Sequence, residues 1–196
     1  LYNRQTAIIR VNKFPPSVLK EILAFHNPNY TQDDLLALYS FTGGVAKYVE
    51  LLMDKGATTR SKMIETIVQA DSIFLSEGKN LLIEEFGKDY GIYFSILTAI
   101  ASGHTQRSQI EDMIGKEIGG YLTMLEDSYG IIHKHKPLFT TKNSNIHYRL
   151  NDNFLTFWFR FLFKYNHMLE IDAFDALRQI IERDYETFSG KMLEQY

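Results

Sequence analysis

A mainly α-helical fold is predicted for this chain: a bundle of helices, then a winged helix-turn-helix, then a further helical segment. Apolar residues recur at spacings of three and four along most of the 196 residues, which is the period of helices with one buried face. Glycines and polar caps separate these stretches, and β-branched runs are few and short. We expect the three parts to cover residues 1–88, 89–151 and 152–196.

The composition indicates a globular protein with a substantial core. Hydrophobic residues make up 45% and charged residues 23% of the chain, and the net charge is −3, so any basic patch must be local. There is no cysteine, which excludes disulfides, thiolate zinc sites and a cysteine nucleophile. No apolar run approaches the roughly 18–20 residues that span a bilayer. We therefore expect a cytoplasmic protein with no membrane partner.

Both ends of the sequence lack the usual signals. The chain starts at Leu1 rather than at methionine, and it stops at Tyr196 inside a helical pattern that runs from Glu182 without a stop signal. We expect a piece of a larger protein.

The first part begins with an expected strand at 6–11, which Pro15-Pro16 ends. Thr31 is a predicted helix N-cap, because carboxylates follow it in the first turn, where the helix dipole favours them. Helices are expected near 16–25, 31–41, 45–52, 59–70 and 73–86.

From Tyr90 the pattern is typical of a winged helix. Thr105 is expected to cap the second helix, and the third is expected over 116–128. Two strands, 131–132 onward and 146–150, form the predicted wing. The aromatic stretch 154–165 is apolar on all sides, so it is expected to be a buried helix joining two parts of the fold.

Several stretches resemble archaeal-type and prokaryotic AAA-like P-loop ATPases. They are 1–4, the Thr-Gly-Gly-Val-Ala-Lys-Tyr-Val-Glu run at 42–50, and 148–155 with the Phe-Trp-Phe-Arg-Phe run at 157–161. The resemblance covers essentially the whole chain. It implies the end of an ATPase core with a helical lid-like bundle in 1–88, a winged helix in 89–151, and the start of a restriction-nuclease-like domain in 152–196, where Glu194 is similar to a first metal-ligand carboxylate.

The resemblance also implies ATP and magnesium for the intact parent, with Arg4 as a candidate phosphate sensor and Arg10 and Lys47 as further candidates. This sequence departs from the family at Ala46, where proline is usual. It also lacks the phosphate loop, because Gly115-Lys116 continues with glutamate and has isoleucine five residues before the glycine. The chain is therefore expected to be non-catalytic and to have its own upstream ATPase core as a partner.

Nucleic-acid binding is the first candidate function of the winged helix. The third helix has a net charge of −2 over 116–128, which disfavours major-groove entry. The wing has four cations and no acid over 133–149. The candidate phosphate contacts are Lys134, Lys136, Lys142 and Arg149.

A protein-packing or self-association module without nucleic acid is the alternative function. The histidines of the wing offer one more possibility. His133 and His135 share a strand face, and His147 is expected opposite His135, so three imidazoles are candidates for zinc. Solvated single histidines are the ordinary interpretation.

Overall fold

A computed structural model describes residues 12–136 and 146–193, and it is mainly α-helical, as predicted. The expected strand at 6–11 lies outside these ranges. The helices are α1 Pro16–His26, α2 Gln32–Thr42, α3 Ala46–Asp54, α4 Arg60–Ile67, α5 Ile73–Phe86, α6 Tyr90–Ala101, α7 Arg107–Ile114, α8 Gly119–Thr123, α9 Asn153–Phe157, α10 Asn166–Glu170 and α11 Phe174–Leu193. The strands are β1 Ile132–His135 and β2 His147–Leu150.

The start of α2 confirms the predicted cap at Thr31. Its side chain accepts from the backbone N–H of Asp34, and the Asp34 carboxylate accepts in return from the Thr31 N–H at 2.8 Å. Asp34 is 7% exposed and also accepts from the backbone N–H of Arg60 at 2.7 Å. Burial opposes ionisation of Asp34, but these hydrogen bonds and the Arg60 charge outweigh it and lower the pKa of the carboxyl group. The cap therefore also fastens α2 to the start of α4.

Three helices and a two-stranded wing follow in the predicted order. The strands are antiparallel, with Ile132 opposite Leu150 and His135 opposite His147, so the predicted pairing of these two histidines is confirmed. Two boundaries differ from the sequence-based expectation. The N-cap of α7 is Gln106 rather than Thr105, and α8 begins at Gly119 rather than at 116. One π-helical turn, Met124–Ser128, continues α8.

Thr105 does not cap α7 because its hydroxyl is engaged elsewhere. It lies 2.7 Å from Nδ1 of His147, and its backbone oxygen accepts from the N–H of Tyr148 at 2.8 Å. These two contacts join the loop between α6 and α7 to β2, so a residue that favours caps in isolation acts here as a tertiary contact.

The aromatic stretch forms the centre of the core, as its all-round apolar pattern predicts. It begins as α9 and continues as a π-helical segment, Trp158–Phe163, which the sequence did not indicate. Trp158 is 2% exposed and donates from Nε1 to the backbone oxygen of Leu75 at 3.1 Å. Phe157 contacts Phe41 of α2 on one side and Phe188 of α11 on the other. One continuous hydrophobic cluster thus includes residues from the bundle, the winged helix and α11.

Residues 166–193 contain more helix than the sequence predicted. Helix α10 was not predicted, and α11 begins at Phe174 rather than near Glu182. Helix α11 packs on α2 and α4. None of the helices in the described ranges is long and apolar enough to cross a bilayer.

Candidate functional site

The Thr-Gly-Gly turn between α2 and α3 is held by its own side chain and by the segment that precedes α1. The hydroxyl of Thr42 donates to the Leu38 oxygen at 2.6 Å and accepts from the N–H of Gly44 at 3.2 Å. The Gly44 oxygen accepts from the N–H of Phe14 at 2.7 Å. Gly44 has φ +76°, and a Cβ there would lie 2.2 Å from the Phe14 oxygen, so only glycine fits.

The head of the aromatic helix lies against the same turn. A Cβ at Gly43 would lie 3.4 Å from Cβ of Asn153, which is ordinary van der Waals contact. Asp152 caps α9 through the N–H of Leu155 at 2.8 Å and is paired with Lys13. Three separate parts of the chain therefore meet here, and we call this meeting point the junction: residues 13–14, 42–44 and 152–153.

Asn153 brings a buried polar group to the junction. It is 8% exposed, and its Nδ2 has no hydrogen-bond partner among the described residues. Ser40, which lies in α2 just before Thr42, is fully buried, and its hydroxyl is likewise without a partner within the described ranges. Unsatisfied buried polar groups cost roughly 1–3 kcal/mol each, so their presence calls for a reason beyond stability.

The residues that the family resemblance assigns to nucleotide binding are not assembled within the described ranges. Arg4 and Arg10 lie outside these ranges, as does Glu194. Lys47 is paired with Glu77 at 2.9 Å, and the Tyr48 hydroxyl donates to the same carboxylate. Gly115 ends α7 in a left-handed conformation and is followed by no phosphate-binding loop. These described residues do not fit ATP or magnesium.

The structure pairs one of the wing cations with an acid from outside the wing. The ammonium group of Lys134 is paired with the carboxylate of Glu126, and the backbone N–H of Lys134 donates to the same side chain at 3.2 Å. The hydrogen bond between the Lys134 ammonium group and the Glu126 carboxylate raises the pKa of Lys134. The end of the third helix thus engages a cation that the sequence had suggested for phosphate.

The other three predicted phosphate contacts have different positions. Lys136 is exposed at the end of β1, and Lys142 lies outside the described residues. Arg149 is half-buried opposite His133 and lines two clefts between the wing and the helical body. Three wing cations lie in the described ranges: Lys134, Lys136 and Arg149. Of these, Lys136 is the one that is exposed and not paired with an acid within those ranges.

The histidines of the wing each contact a different neighbour. His133 Nδ1 lies 2.5 Å from the side-chain oxygen of Asn151, and His147 Nδ1 contacts Thr105. Among residues 12–136 and 146–193, no cluster of three metal-ligating side chains is found. The zinc hypothesis thus has no support from the described part of the wing.

The junction itself was not predicted from the sequence. The signal that points to it is the pair of glycines at 43–44, together with a polar Asp-Asn pair at 152–153 placed before an apolar helix. Neither feature says which distant segment it will contact.

Comparison with curated proteins finds an uncharacterized protein, MJECL04, of Methanocaldococcus jannaschii. It is similar to this chain, with 27% identity over 198 aligned positions. The alignment covers 99% of this chain but 43% of the relative, so the chain spans less than half the length of the relative. No protein-family model matches the chain, and no solved structure matches it.

Proposed function

We propose that this chain is the non-catalytic, C-terminal regulatory part of a cytoplasmic, AAA-like P-loop ATPase. The junction carries the proposal. The lid-like turn at 42–44 and the head of the aromatic helix at 152–153 belong to two of the stretches that carry the resemblance, and they are in contact although far apart in the sequence. ATP and magnesium belong to the parent's core in this proposal, and Arg4 is the residue of this chain that is proposed to sense phosphate there.

The physical basis of regulation is the way the segment before α1 is fixed. Phe14 is bonded to Gly44, and Lys13 is paired with Asp152, so a shift of this segment moves the lid turn and the aromatic helix together. The aromatic helix packs on α6 of the winged helix. Close-packed interiors transmit such displacements rather than absorb them.

The winged helix is proposed to pack on protein rather than to read DNA. The pair between Glu126 and Lys134 supports this interpretation, because it neutralises one wing cation with an acid of the third helix. Sequence-independent contact with duplex DNA is the second candidate, and the exposed Lys136 favours it.

The coding sequence upstream of Leu1 is the first test. We expect it to encode a glycine-rich phosphate loop ending in Lys-Ser or Lys-Thr. A coding sequence without such a loop would overturn the proposal.

The second test changes the junction in the protein that includes this core. We expect Asn153→Ala to alter steady-state ATP turnover by about fivefold or more, the lower range of allosteric coupling, with unchanged Mg-ATP affinity. The control is Lys79→Ala, because Lys79 is exposed on α5 and away from the junction. Equal turnover in the two variants would contradict a regulatory role.

Fluorescence anisotropy on two unrelated duplexes separates the two uses of the winged helix. If the winged helix packs on protein, we expect no salt-dependent binding to either duplex. Four wing cations on phosphates would instead give a slope of about −3 to −4 in log affinity against log salt. Glu126→Gln would tighten such binding, because it releases Lys134, and Lys136→Ala would weaken it. That pattern would establish DNA contact and overturn the packing interpretation.

A further inference from the structure

We draw no further inference here: the strongest candidate, the groove between α6, α7 and the end of the aromatic helix, where Met113 is 55% exposed beside Ile114 and Phe163, carries none because nothing in the structure shows what covers it.

Discussion

Gly78 of α5 lies face to face with the single tryptophan of the chain. A Cβ at this position would lie 2.2 Å from Cδ2 of Trp158 and 2.6 Å from its Cε3. The indole cannot retreat easily, because its Nε1 is bonded to Leu75 and its ring stacks on Phe163 with centroids 5.3 Å apart. Gly78→Ala therefore forces a buried aromatic side chain to move.

Two effects of opposite sign decide the outcome of this substitution. Alanine inside a helix is favoured over glycine by about 1 kcal/mol. Overpacking a well-filled core costs about 1–3 kcal/mol, and more when the neighbour is locked. Because Trp158 is locked on two sides, we expect the overpacking to win, with Gly78→Ala less stable by about 1–2 kcal/mol.

Urea unfolding followed by Trp158 fluorescence and by circular dichroism measures the change. The matched control is Gly190→Ala in α11, where a Cβ would meet nothing within 4 Å. That variant should be unchanged or slightly more stable. In a Trp158→Leu background, Gly78→Ala should lose most of its effect, because the clashing ring is gone. A Gly78→Ala variant as stable as Gly190→Ala would refute the packing described for the aromatic helix.

Further predictions concern burial, ionisation, backbone strain and nucleotide binding. Trp158→Ala should lower the free energy of unfolding by about 3–5 kcal/mol, measured by circular dichroism, and an unchanged melting temperature would contradict its burial. Asp34→Asn should be less stable by about 1–3 kcal/mol at pH 7. Folding lowers the pKa of Asp34, so its contribution to the free energy of unfolding is present above the unfolded pKa near 3.9 and is lost as the pH falls below that value. The curves of stability against pH for wild type and variant should therefore converge in acid. Parallel curves would refute this. Gly44→Ala should be less stable than Gly56→Ala, since both have positive φ but only Gly44 faces the Phe14 oxygen, and equal melting temperatures would count against that contact. The isolated chain should show no binding of Mg-ATP in calorimetry, and a dissociation constant at or below about 10 µM would show that nucleotide binding does not need a phosphate loop here.

Local patterns in the sequence predicted the elements of this fold better than their contacts. The period of apolar residues predicted α5 with its observed bounds, and the carboxylates after Thr31 predicted the N-cap of α2. Both signals act within one or two turns of chain. Thr105 shows the limit, because its preference for capping α7 lost to a contact with His147, which lies on a strand beyond the turn of the wing.

The candidate sites depend on contacts between distant parts of the chain, so the sequence predicted them poorly. Nothing local to Gly44 indicates that Phe14 will lie against it, and nothing local to Asn153 indicates that it will lie against Gly43. Such contacts follow from the packing of several helices on one aromatic segment. They become visible only when that packing is known.

Counting charges along the wing illustrates the same difficulty in a case that bears on function. A run of four cations without an acid indicates a phosphate-binding surface when only the run is considered. Folding places Glu126 of the preceding helix against Lys134 and turns Arg149 toward the clefts beside the helical body. The outer surface of the wing therefore keeps one exposed cation that is not paired with an acid in the described ranges, Lys136. For this reason we favour protein packing over DNA contact for the wing, and Lys136→Ala is the variant that tests this choice, because a wing that contacts phosphate should lose affinity for duplex DNA when this cation is removed.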